Sequence, residues 1–122
     1  VETGIKKFAE ESEYFFAEGC YIAELSNGAD DPGLSIARAR LTPGKTTRWH
    51  SLFETAERYV ILAGSGLVEV GELPATAVRA GDVVLIPPQV RQRITNTCAV
   101  DLVFLALCTP PFQQQVYQDL ES

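Results

Sequence analysis

Short runs of β-branched and aromatic residues alternate along this chain with Gly, Pro, Asn and Asp, the pattern of an all-β sandwich or barrel. It predicts strands over Tyr21–Leu25, Ser35–Leu41, Thr46–Leu52, Arg58–Leu62, Gly66–Val70, Thr76–Arg79, Val83–Ile86, Arg91–Thr95 and Leu102–Cys108. Between them lie turn-forming pairs such as Asn27-Gly28, Pro43-Gly44 and Ala80-Gly81-Asp82. Only the tail, around Phe112 to Asp119, reads as a short helix. No repeat or linker interrupts the series, and residues 1–122 are expected to form one domain.

Three of the runs break the alternation of a strand with one wet face. Tyr59 to Ala63, Val83 to Ile86 and Leu102 to Cys108 are apolar at nearly every position, so both of their faces call for cover. A barrel of this size has one interior. The outer cover must come from the terminal segments or from a second copy, and a homodimer is the expectation.

Composition narrows the partners. The net charge is −6 and the Lys and Arg residues are scattered, which speaks against nucleic acid and anionic membranes. The longest apolar stretch is far below the ~20 residues of a membrane helix. Cys20, Cys98 and Cys108 form no paired motif and sit among apolar residues, which predicts free, mostly buried thiols and a reducing, cytoplasmic setting. The chain opens on Val1 and holds no Met, which leaves room for a removed leader.

Candidate chemistry gathers around the single histidine, His50. His50 and Leu52 stand two apart on one predicted strand and so share a face, with Thr46 and Arg48 on that same face and Trp49 pointing outward. Glu57 begins the next strand and can point back at them, with Tyr59 on its face, and Gln92 belongs to a separate strand. No second His completes a triad, and there is no phosphate-cradling glycine loop or nucleophile elbow. Any proton transfer falls to Glu57, Tyr59 or His50, and burial of Glu57 in an apolar barrel would raise its pKa toward a useful value.

The two stretches from Gly44 to Gly64 and from Gly81 to Asn96 resemble, in order and spacing, the two motifs of the cupin superfamily. The first family motif runs through a glycine, two histidines one residue apart, a glutamate and a glycine. Here it is matched at Gly44, His50, Glu57 and Gly64, with Leu52 in place of the second histidine. In the second motif Gly81, Pro87 and Asn96 match, while Gln89 replaces a glycine and Gln92 a histidine.

The resemblance implies a double-stranded β-helix, or jelly roll, in which His50, Leu52, Glu57 and Gln92 converge. It also implies a divalent metal at that point. Leu52 cannot bind one, so the reduced set is His50, Glu57 and Gln92, suited to Zn, Ni, Mn or Fe with water completing the shell. Thr46, Arg48 and Tyr59 would line the pocket mouth, where Arg48 either grips a carboxylate or phosphate of a small substrate or pairs with Glu57. Equally, His50 could be a satisfied core residue, Glu57 a turn residue paired with Arg48 or Arg58, and Gln92 a hydrogen-bonding residue of a pocket that never held metal. Two functions are therefore open. One is a metal-dependent enzyme of the dioxygenase, decarboxylase, isomerase or lyase type acting on a small polar or anionic metabolite. The other is a metal-poor module that binds or senses a small ligand.

Overall fold

A computed structural model describes residues 1–121. Eleven strands run in chain order: β1 (Tyr14–Phe15), β2 (Tyr21–Ser26), β3 (Ser35–Leu41), β4 (His50–Leu52), β5 (Ala56–Ala63), β6 (Ser65–Val70), β7 (Thr76–Arg79), β8 (Val83–Ile86), β9 (Gln92–Asn96), β10 (Leu102–Thr109) and β11 (Tyr117–Asp119). They form a six-stranded sheet in the order β1-β2-β3-β10-β5-β8 and a five-stranded sheet in the order β11-β4-β9-β6-β7, with every pairing antiparallel. The two sheets face each other as a jelly roll, the all-β fold that the resemblance implies. Among the described residues no helix is long and apolar enough to cross a membrane.

Cross-strand register stacks the inward side chains of the larger sheet in rows. Ser35, Cys108, Glu57 and Ile86 are neighbours in one row, and Ala37, Ala106, Tyr59 and Val84 in the next. Ala39, Phe104 and Ile61 follow, then Leu41 beside Leu102. The barrel therefore changes character along its length, from a polar and small-residue end to an aliphatic end where Leu41, Ile61, Ile94 and Leu102 are fully buried.

The motif glycines Gly44, Gly64 and Gly81 all take positive φ. At Gly64 a Cβ would also lie 2.7 Å from the Asp101 carbonyl oxygen, so any side chain there must displace backbone. Gln89, at the position where the family motif has a glycine, takes a left-handed conformation, φ 65. The strain, on the order of 1 kcal/mol, is offset by two hydrogen bonds: its N–H donates to the Leu52 carbonyl at 2.9 Å, and its side-chain oxygen accepts from the Glu54 N–H at 2.7 Å. Asn96 is buried and ties the end of β9 in place, donating to the Leu41 and Val100 carbonyls and accepting from the Cys98 N–H.

Three sequence expectations change. The predicted Thr46–Leu52 strand is regular only from His50, because Thr47 turns inward and its hydroxyl accepts from the Ile94 N–H at 3.0 Å. The tail is not a helix; a 3-10 turn at Gln114–Val116 leads into β11, which pairs with β4. Only part of the larger sheet's outer face is covered. The N-terminal segment lies over β2 and β3, with Phe8 against the Arg38 guanidinium and Ala23 fully buried, while Val83 and Leu85 on edge strand β8 stay 57% and 68% exposed.

Candidate active site

A cavity opens at the polar end of the barrel. It offers about 50 Å³ to the centres of water-sized molecules, and its walls include Phe16, Ala37, Ala39, Tyr59, Phe104 and Phe112. The small side chains Ala37, Ala39 and Ala106 leave the room that large residues fill at the other end. The polar lining includes Tyr14, Glu18, Glu24, Ser35, Glu57, Tyr59 and Cys108, and no Lys or Arg is among the lining residues.

β5 carries Glu57 and Tyr59 on one face, and β9 brings fully buried Gln92 opposite them. The Gln92 amide joins the two: its NH2 donates to Glu57 Oε1 at 2.7 Å and its oxygen accepts from the Tyr59 hydroxyl. The other Glu57 oxygen faces the Cys108 thiol at 3.8 Å. Burial, with the Glu18 carboxylate as a second cause, pushes the Glu57 pKa up to about 7.

His50 pairs in register with Gln92. Its Nδ1 lies 2.7 Å from the Arg48 carbonyl oxygen and its Nε2 lies 3.2 Å from Glu18 Oε2. Tyr117 of β11 stacks on the imidazole, with ring centroids 5.1 Å apart. Burial holds the His50 pKa below its ordinary value and raises Glu18 to about 7.

Glu18 is the member that sequence reasoning missed. It sits in the turn between β1 and β2, where Gly19 (φ 107) and a hydrogen bond from the Gly19 N–H to the Phe16 carbonyl reverse the chain. Its carbonyl accepts from the Arg48 N–H at 2.8 Å, which docks the turn beside His50. The only local signal is an acid between Phe16 and Cys20, two residues that turn out to be buried.

Two expected pocket residues lie elsewhere. Thr46 is exposed, with its hydroxyl bonded to that of Thr95 at 2.9 Å, and the Arg48 guanidinium binds Asp119 at 3.0 Å near the surface. The cause is the inward turn of Thr47, which breaks the two-residue period on which their placement depended. Trp49 does face outward, flanked by the Arg91 and Arg93 guanidinium groups. Cys20 and Cys108 are buried free thiols and Cys98 is partly exposed and free.

The donors present do not fit the divalent ion implied by the resemblance. Gln92 offers a metal only its amide oxygen, which is engaged by Tyr59, and it turns its NH2 toward Glu57. Leu52 is buried and apolar. Among the described residues no three His, Cys, Asp or Glu side chains stand close enough together to hold a metal.

The barrel superposes on solved structures over nearly its whole length. An uncharacterized conserved protein with a double-stranded β-helix domain from Klebsiella pneumoniae matches with a TM-score of 0.77 at 13% identity, covering 98% of this chain and all of that one. A predicted oxalate decarboxylase from Thermotoga maritima matches with a TM-score of 0.77 at 23% identity, over 88% and 99% of the two chains. The chain shares the double-stranded β-helix fold. Pac13 from Streptomyces, described as a nucleoside dehydratase, shares this fold at a TM-score of 0.75 and 17% identity, over 96% and 92% of the chains. In sequence, the chain is 31% identical over 110 residues to the uncharacterized protein MJ1618 of Methanocaldococcus jannaschii, covering 88% of this chain and 87% of that one. No family model matches it.

Proposed function

We propose that the barrel cavity is the active site of a small enzyme that moves protons on a compact organic molecule, uncharged or positively charged, through Glu57 and the Glu18–His50 pair. The observation that carries this reading is the pair of carboxyls, Glu18 and buried Glu57, on one cavity whose lining includes no Lys or Arg, with the single imidazole 3.2 Å behind Glu18. Eliminations and isomerisations need one group to take a proton and another to give one. A carboxyl with a pKa near neutrality serves in either role. Glu57 and Glu18, both raised to about 7, supply two such groups on one cavity, and the apolar walls keep water from competing for the protons.

The lining also selects the substrate. An anion entering the cavity would meet Glu18, Glu24 and Glu57 without a compensating cation, because the Arg48 guanidinium is held outside by Asp119. The fold does not choose the reaction, since the same barrel carries many functions. The side chains do.

The extent of the apolar lining, including Phe16, Ile22, Phe104 and Phe112, favours a second reading, a module that binds a small ligand without converting it. One experiment separates the two. The wild type and Glu57→Gln are incubated in D2O with neutral sugars, nucleosides, hydroxy ketones and amino alcohols, and NMR follows deuterium uptake or loss of water. The enzyme reading expects turnover of at least one class, falling ~100-fold or more in the variant. Compounds that bind the folded wild type without exchange or conversion would overturn it in favour of the module. On the outer face, a second copy seated on Val83 and Leu85 of β8 would complete the cover that the sequence calls for, and light scattering at micromolar concentration distinguishes dimer from monomer.

A further inference from the structure

We propose that the Glu18 carboxyl, with its proton directed at His50 Nε2, takes the place that the family resemblance assigns to a divalent ion, so that this site is built to hold a proton. The inference deepens the proton-transfer reading and rests on that reading's placement of the working groups in this cavity.

Both partners are held by the backbone of Arg48. The Arg48 carbonyl can only accept, so His50 Nδ1, 2.7 Å away, carries the hydrogen of a neutral imidazole. Nε2 is then a bare lone pair, and Glu18 Oε2 stands 3.2 Å from it. Two lone pairs facing each other at that distance in an apolar cavity repel, and a proton between them turns repulsion into a hydrogen bond. The Arg48 backbone anchors both partners, since its N–H donates to the Glu18 carbonyl and its carbonyl accepts from His50.

Burial also decides which partner keeps the proton. An imidazolium and a carboxylate would both be charged beside an apolar cavity with no cation facing them, so the uncharged pair is favoured. The charged and titratable groups around the pair are Glu57, Cys20, Tyr14, Tyr59, Tyr117, Asp119 and Arg48. Arg48, the one permanent cation of that set, is turned away to Asp119, so none is left facing the carboxyl to hold it ionised. With Nε2 engaged by Glu18, Gln92 by Tyr59, and Glu57 by Gln92 and Cys108, an entering ion would have to break an existing contact at every donor.

The single histidine gives a direct test. Long-range 1H–15N spectra of uniformly labelled, tag-free protein contain one imidazole. The expected wild-type spectrum has Nδ1 protonated and Nε2 as a hydrogen-bond acceptor, and neither signal moves on addition of one equivalent of Zn²⁺. In Glu18→Ala the Nε2 signal is expected to shift to that of a free lone pair and to respond to Zn²⁺. Movement of Nε2 in the wild type at one equivalent of Zn²⁺, protonation at Nε2 in place of Nδ1, or a Glu18→Ala spectrum like the wild type's would each overturn the inference. The wild-type titration stands even if the variant does not fold. The outcomes also separate from those of the enzyme reading: zinc on His50 with turnover in D2O defeats the inference alone, while the expected spectrum with no turnover defeats the enzyme reading alone.

Discussion

The two ends of this barrel are built on the same strands and differ in what those strands point inward. Along β5 the inward series runs Glu57, Tyr59, Ile61, and along β10 in the opposite direction it runs Cys108, Ala106, Phe104, Leu102. At the aliphatic end the rows close on Leu41, Ile61, Ile94 and Leu102, which leave no accessible space. At the other end the same rows hold Ala37 and Ala106 beside Tyr59, with Ser35, Cys108 and Glu57 beyond them. One end is packed for stability. The other gives up apolar packing and takes on desolvated carboxyls, a cost a folded chain carries where it has a use for the space.

The largest expected effect lies at the packed end. Ile61→Ala should lose about 3 kcal/mol of unfolding free energy, within the range for deleting a buried aliphatic side chain, as measured by denaturant titration. A loss under about 1 kcal/mol would mean that this end is not the stabilising half. A smaller effect on stability, and a larger one on binding, is expected at the cavity. Ala106→Leu inserts a side chain into the open space, should cost no more than about 1–3 kcal/mol, and should abolish binding of any ligand the wild type takes up, read by thermal shift or calorimetry. Unchanged binding would place the ligand elsewhere. The smallest effect belongs to Gln89→Gly, which relieves the left-handed strain while losing one side-chain hydrogen bond, terms of about 1 kcal/mol each and opposite sign. Its melting temperature should stay near that of the wild type.

Much of the packed end was legible in the sequence. β3, β7 and β8 have the bounds that their apolar runs predict, because alternation and flanking turns are local properties of the chain. β11 was not legible, since Phe112, Val116 and Tyr117 suit a short helix until a distant partner, β4, pairs with the tail. The motif spacing brought His50, Glu57 and Gln92 together correctly, but it carried no information on which way the Gln92 amide would face. Thr46 and Arg48 were misplaced by a slip of one residue at Thr47, and a single slip reverses every side chain that precedes it. Glu18 has no periodic signal at all. Its place beside His50 comes from the hydrogen bond between its carbonyl and the Arg48 N–H, across two segments far apart in sequence.

The contrast between the ends rests on the claim that Glu18 and Glu57 stay protonated in the fold well above the pH at which they ionise in the unfolded chain. Their pKa values rise from an ordinary 4.5 to about 7. The unfolded chain therefore releases these protons first, and their contribution to stability is fully present below pH 4.5 and lost as pH rises through about 7. His50, with its lowered pKa, acts in the opposite sense, contributing stability above pH 6.5 that is lost as pH falls. The direct measurement is the unfolding free energy across that range for the wild type and for the double variant Glu18→Gln/Glu57→Gln. The account predicts that the wild type loses stability between mildly acidic and neutral pH while the double variant does not. Parallel curves for the two proteins would contradict it.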